Sequence, residues 1–539
     1  MFDRIVIQYK SRRSNMLTLE RMTPEQKIGR VLCFRRFKNQ DDIDFTLELV
    51  KNQAAGVLQI PFNENTRELI KTFREAADYP LLIVNDMERG VPSSPLPKIP
   101  LISLSATGNA EHARNFAAIT AKEAKELGYS GCWSPIVDIL HQNGPCKVPR
   151  TLSDNPSDTT NIAREILKVF KSYNFQGTGK HYPGGDSGNI DTHMAEFIGA
   201  ETKEELLNFD LVPYTELDKE GLLPAIMVGH KVLGNIDPDY PSSMSKKVID
   251  IIREQGFDGV MYTDSFAMMA ILQKYGEADA YVTALNAGID VVLINYRTPT
   301  KEAYKMMLDA YRAGKISDER LNEAVRRVMK LEEFCAAVPE NPYPCPADPE
   351  KALLDITRDC IASECDEGLA AALPDPQKPR LFVVTTAQDY SEEASAEEIS
   401  LKDFYNPKRV TAAIKENFPT SEIQYIREYP TGLENDRILA AATKYDEVVF
   451  VSFCATSAYY GTDCMTRRLE ALINALIISK KLSALVHFGN PLALEPLMHV
   501  PRKIFGFTAP HSQTFAIEVL AGKIPAKGHI PFPRLYKKN

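Results

Sequence analysis

Short apolar runs rich in β-branched residues recur along this chain with helix-patterned segments between them, and that alternation constrains its fold more than any other feature. The runs lie at 30–34, 55–60, 81–86, 132–139, 177–182, 225–230, 259–264 and 291–294; helical periodicity marks 110–127, 246–255 and 318–333. Strands that are apolar along their whole length read as buried on both faces, the habit of parallel sheets covered by helices. Eight βα units in succession predict a (β/α)8 barrel over residues 1–337. Pro339, Pro342, Pro344, Pro346 and Pro349 then stiffen the chain and block regular structure, which predicts a linker over 338–352. Beyond it, runs at 381–386, 423–427, 448–453, 484–488 and 504–507 resume the alternation. They predict a second domain over 353–539, an open α/β sandwich with a mostly parallel sheet. Two domains also suit a length of 539 residues, which exceeds what one hydrophobic core serves.

Composition removes several classes of function. A net charge of −9 argues against nucleic-acid and anionic-membrane partners, both of which reward basic patches. Nine scattered cysteines without a Cys-x-x-Cys pair fit reduced thiols rather than a disulfide framework, and Cys360 and Cys365 have no partner group for a zinc site. No Gly-x-Gly-x-x-Gly or P-loop follows any strand, so no nucleotide and no other cofactor or metal is expected. The first ten residues hold an apolar run of only three, and no uncharged stretch reaches spanning length. The expectation is a soluble, cytoplasmic protein.

In a parallel barrel the C-terminal strand ends converge on one face. Asp86, Lys180 with His181, His230 and Asp264 stand at such ends, and Arg150 lies in the long connection after the fourth strand. Each alone has a plain structural reading: a helix cap, a satisfied core histidine, a solvated lysine. Their coincidence at strand ends points to a site. The stretch Lys180-His-Tyr-Pro-Gly-Gly-Asp-Ser-Gly-Asn-Ile-Asp-Thr-His193 adds a loop with three glycines carrying titratable groups. A carboxylate beside cationic groups stays ionised and serves as a nucleophile, which suits Asp264. A histidine oriented by a carboxylate can give and take a proton near neutrality, which suits His193 with Asp191. A nucleophilic carboxylate opposite a proton donor is the equipment of retaining glycoside hydrolysis, and a histidine donor avoids a second negative charge.

These segments resemble the β-N-acetylglucosaminidases of glycoside hydrolase family 3. The family loop Lys-His-Phe-Pro-Gly-His-Gly-Asp-Thr-x-x-Asp-Ser-His is matched by Lys180, His181, Pro183, Gly184, Asp191 and His193. Its nucleophile segment resembles Gly256-Phe-Asp-Gly-Val-Met-Tyr-Thr-Asp264-Ser-Phe-Ala-Met268, and its substrate-arginine segment resembles Ser134-Pro-Ile-Val-Asp138 followed by Arg150. Two departures stand out. Pro183-Gly184-Gly185-Asp186 lacks the family's middle histidine, and Asp86-Met-Glu-Arg-Gly places Arg89 two positions early.

The resemblance implies a two-domain, retaining, exo-acting enzyme that releases terminal β-linked N-acetylglucosamine, with muropeptides as a natural source. Asp264 would be the nucleophile and Asp191–His193 the acid/base dyad; Asp86, Arg150, Lys180, His181 and His230 would bind the sugar. A phosphorylase of the same family, a β-glucosidase and a non-catalytic sugar-binding relative remain alternatives. The oligomeric state is left open.

Overall fold

Why the apolar runs become strands is visible in where their side chains go. The computed structural model describes residues 17–144, 147–185, 190–386, 407–454 and 464–536. Residues 186–189, the middle of the glycine-rich loop with Asp186, lie outside them. The chain divides into two units: 1–95, 113–139 and 156–347 form the first, and 96–112, 140–155 and 348–539 the second.

In the first unit, β1 (Leu32–Phe34), β2 (Val57–Gln59), β3 (Leu82–Asn85) and β4 (Gly131–Cys132) come before the glycine-rich loop, and β5 (Gly179–Tyr182) leads into it. After a short β6 (Ile198–Gly199) follow β7 (Ala225–Val228), β8 (Val232–Leu233), β9 (Asp237–Pro241), β10 (Val260–Thr263) and β11 (Val292–Leu293). One parallel sheet has the order β11-β1-β2-β3-β4 and another β10-β7-β5. Isolated parallel bridges, Gly131 to Gln176, Ile136 to Lys180 and Tyr262 to Val291, run between the two. β6, β8 and β9 make a separate small sheet. Cys33, Val57, Val84, Trp133, Met227 and Tyr262, drawn from or beside six of the strands, meet in one buried cluster. The arrangement is that of a TIM-like α/β domain.

Each of the eight expected runs overlaps a strand shorter than itself. The largest difference is at 132–139, where only Cys132 is in β4. Pro135 has no N–H to continue the ladder, and pairing resumes irregularly when Val137 N–H donates to Lys180 O at 2.8 Å.

The second unit is a six-stranded sheet. Its strands are β12 (Ala362–Cys365), β13 (Leu381–Thr386), β14 (Glu422–Arg427), β15 (Val448–Cys454), β16 (Leu482–Gly489) and β17 (Arg502–Phe507), in the order β12-β17-β16-β15-β13-β14. All neighbours are parallel except β12, which pairs antiparallel with β17 at one edge. β15 is buried at every residue, as a central strand covered on both faces must be. The proline-rich stretch ends in a helix, Pro349–Asp359, that begins inside the expected linker. Asp348 Oδ1 accepts from Lys351 N–H at 2.9 Å, and Pro349 occupies the first turn, where its missing N–H costs nothing. Among the described residues no helix is long and apolar enough to cross a membrane.

Inside this sheet His487 bridges β16 and β15. Its Nε2–H donates to Asn490 O at 2.8 Å, so Nδ1 accepts from Ser452 Oγ at 2.8 Å. Burial depresses its pKa to about 4, and the ring stays neutral. The unfolded chain protonates this histidine below about pH 6.5 while the native unit does not. Stability therefore falls as pH drops from about 6.5 towards 4, by about 2 kcal/mol over the first 1.5 units. Urea unfolding of the wild type and His487→Gln at several pH values checks this: the variant, though less stable at neutral pH, is expected to lose that part of the slope.

Candidate active site

The first unit gathers its titratable residues where the parallel strands end. Thr263 is the last residue of β10, and the next backbone N–H, that of Asp264, donates to Val228 O at 2.8 Å. That bond holds Asp264 beside the end of β7. Its Oδ1 accepts the Ser265 N–H at 2.6 Å. Burial by itself would raise the pKa of this carboxyl. Favourable interactions with the imidazoles of His181, His230 and His193 and with the Ser265 N–H outweigh that and hold it well below the usual carboxylate range. Asp264 is thus an anion at every pH near neutrality, with 22% of its side chain still exposed.

His181 sits within β5 and is clamped by a residue that sequence reasoning left without a role. Asp138 Oδ1 accepts the His181 backbone N–H at 2.7 Å, and its Oδ2 accepts from the ring Nδ1 at 2.9 Å. Both oxygens of one buried carboxylate therefore fix backbone and ring together. The other ring nitrogen, Nε2, points at Asp264 Oδ2 from 3.9 Å, too far for a hydrogen bond but close enough to act electrostatically.

Lys180, one residue earlier, is 1% exposed. Its ammonium is held by Asp86 Oδ1 at 2.6 Å and Glu88 Oε1 at 2.7 Å. A buried cation needs such partners. Asp86 keeps 51% of its side chain exposed, so the same carboxylate can also reach a ligand. Glu88 is a second partner that the sequence did not assign.

Past the undescribed 186–189, Asp191 Oδ1 accepts both the His193 backbone N–H at 2.9 Å and the ring Nδ1–H at 2.7 Å. The carboxylate is enclosed while the imidazole is 29% exposed. This fixes the tautomer and presents Nε2 as the nitrogen for proton transfer. Before the gap, Gly184 and Gly185 have φ of +80° and +79°. A Cβ on Gly185 would fall 2.4 Å from Lys231 Nζ, which is paired with Glu201 Oε1 at 2.5 Å. The positive φ at both positions favours glycine.

His230 is arranged otherwise. It is 2% exposed; Nε2–H donates to Ser265 O at 3.1 Å, and Nδ1 accepts from Ser243 Oγ at 2.8 Å. Both nitrogens meet protein groups. Burial lowers its pKa, so it is a neutral ring bracing the residue beside Asp264. Arg150 closes a short 3-10 turn, Val148–Arg150, which groups with the second unit and is not among the residues the first unit brings together.

Comparison with known proteins comes to the same place. Residues 24–331 match the glycosyl hydrolase family 3 N terminal domain. The chain is similar to a β-N-acetylglucosaminidase/β-glucosidase of Cellulomonas fimi, 25% identical over 332 residues, covering 58% of this chain and 58% of that protein. It is also similar to β-hexosaminidase A of Pseudoalteromonas piscicida, 26% identical over 340 residues and covering 57% of each. The chain thus spans less than two thirds of the length of these curated relatives. A solved β-N-acetylglucosaminidase of glycoside hydrolase family 3 from Paenibacillus sp. str. FPU-7 superposes with a TM-score of 0.78 at 25% identity, covering 96% of this chain and 100% of that one.

The Asp138 clamp makes a prediction. Asp138→Ala removes both acceptors of His181, whose ring should then swing away from Asp264. A misplacement of about 1 Å costs on the order of 10²-fold in a well-oriented reaction. Steady-state turnover of an aryl glycoside is expected to fall by about that factor, with near-UV circular dichroism unchanged.

Proposed function

The chain belongs to glycosyl hydrolase family 3, and from that premise we propose that it is a retaining, exo-acting β-N-acetylglucosaminidase. The observation that carries the reading is the pairing of an ionised Asp264 with a separate, partly exposed His193 whose Nδ1 is held by Asp191 at 2.7 Å. Retaining hydrolysis needs one group that attacks and another that gives a proton and later takes one back. Asp264 attacks the anomeric carbon while His193 Nε2 protonates the departing oxygen, and Asp191 stabilises the imidazolium that gives that proton. His193, then neutral, draws a proton from the incoming water as the ester to Asp264 breaks. Charge logic supports this division of labour. A second carboxylate in place of His193 would repel Asp264, whereas the imidazole helps to keep it ionised.

Asp86, tied to Lys180, is the ligand for sugar hydroxyls, with Lys180 and His181 beside it; Arg150 has that role on its motif alone. His230 acts on the sugar through Ser265 rather than by direct contact. The two parallel sheets, with their three linking bridges, are read as one closed eight-stranded barrel. The residue ranges 1–337 and 353–539 remain the proposed domains, and muropeptides in the cytoplasm the proposed setting.

The test compares leaving groups. General acid assistance is worth roughly 10²–10⁴-fold, and only a poor leaving group needs it. His193→Ala is expected to lose about that much on an alkyl β-N-acetylglucosaminide and far less on a dinitrophenyl one. Equal losses on both would contradict the acid/base assignment. A β-glucoside turned over as fast as the acetylated sugar would contradict the substrate.

A further inference from the structure

Three cations crowd one aromatic ring beside the nucleophile segment, and among the described residues no acid pairs with them. Tyr296 follows β11, and its ring centroid lies 5.0 Å from the Arg297 guanidinium, 5.5 Å from that of Arg35 and 6.0 Å from the Lys38 ammonium. Acids on the adjoining segments are engaged elsewhere. Asp42 holds Arg36 at 2.7 Å and accepts from Thr300 N–H at 2.9 Å. Glu277 binds Asn295, Thr298 and Tyr281. Among the described residues, Arg35, Lys38 and Arg297 make no ion pair with any carboxylate. Cation–π contact with one ring, about 0.5–1 kcal/mol at an exposed site, leaves their positive charge unneutralised.

Where this cluster sits gives it a use. Arg35 Nη1 donates to Ser265 Oγ at 2.5 Å, and Arg297 Nη1 donates to Ala267 O at 2.8 Å. Two of the three cations are therefore tied to the residues directly after Asp264. Lys38 and Arg297 are exposed, and Arg35 and Tyr296 half-buried, so the charges face solvent beside the site. In a chain of net charge −9, a local excess of cations draws an anion. Guanidinium and ammonium groups flanking an aromatic face suit a small planar or tetrahedral oxyanion.

We propose that Arg35, Lys38 and Arg297 around Tyr296 form an anion subsite that binds a carboxylate or phosphate group close to the bond being cleaved. The subsite makes anionic compounds the favoured substrate class, and it rests on the glycosidase reading above. The anion has two sources: the leaving group can carry it, or free inorganic phosphate can supply it.

The experiment uses the full-length protein and a matched pair of substrates, 3-carboxyphenyl and 3-carbamoylphenyl β-N-acetylglucosaminide, which differ mainly in charge. The quantity read is the ratio of kcat/KM for the charged over the neutral substrate. At low ionic strength the wild type is expected to prefer the carboxylate by about tenfold, the scale of one charge-assisted hydrogen bond, with the preference shrinking as salt screens it. Arg297→Gln and Lys38→Gln should each lower the ratio about threefold or more; Lys38 is exposed and its replacement leaves packing untouched. Inorganic phosphate should lower the wild-type ratio by competing for the subsite. Release of a sugar phosphate would identify phosphate as the acceptor, its oxygen bonding to the anomeric carbon as the ester to Asp264 breaks. A ratio near one, insensitive to salt, phosphate and both substitutions, overturns the subsite while leaving the glycosidase reading intact. No turnover of either substrate instead contradicts the glycosidase reading. A phosphate titration followed by tyrosine fluorescence then decides the cluster, binding weakened in Arg297→Gln supporting it and identical or absent binding overturning it.

Discussion

An ionised carboxylate held among imidazoles at the end of β10 is the interaction on which the rest of this site depends. Burial opposes the charge on Asp264, and without compensation the group would drift towards its neutral form, which could not play the nucleophile proposed for it. The compensation comes from His181, His230, His193 and one backbone N–H. Each of those groups is itself held by another residue. Asp138 holds His181, Asp191 holds His193, and Ser243 with the Ser265 carbonyl holds His230. The site is a set of charges whose positions are fixed before any substrate arrives, which is where electrostatic catalysis gains most.

The fold supplies these positions economically. Parallel strands deliver Lys180, His181, His230 and Asp264 to one edge without any loop having to fold precisely. The loop at Gly184–Gly185 then turns through two positive-φ residues, with Gly185 against the Lys231–Glu201 pair. Here the chain departs from the family pattern, and the Asp191–His193 pair beyond the departure is intact at 2.7 Å.

Strand ends were the legible part of the sequence. Asp86, Lys180, His181, His230 and Asp264 each interrupt or end an apolar run, and a break in such a pattern is a local signal. Their partners were not legible, because the contacts join distant segments. Asp138 grips His181 across 43 positions, and Arg35 meets Ser265 across 230. His230 shows the limit well. A histidine after a strand looks the same in sequence whether it faces a ligand or is walled in by a serine and a carbonyl. Periodicity is equally local, so it could not show that 96–112 and 140–155 group with the second unit, taking Arg150 with them. Nor did it reveal β12, whose short half-buried run pairs antiparallel at the sheet edge.

The central claim is that Asp264 forms a bond to the sugar. A fluorinated N-acetylglucosaminyl fluoride, which forms the glycosyl-enzyme quickly and releases it slowly, tests this directly when the labelled protein is digested and sequenced by mass spectrometry. One added sugar per chain is expected, on the peptide carrying Asp264 and on that carboxylate. A label on Asp86, Asp138 or Asp191, or no label on a protein that turns over aryl β-N-acetylglucosaminides, would contradict it.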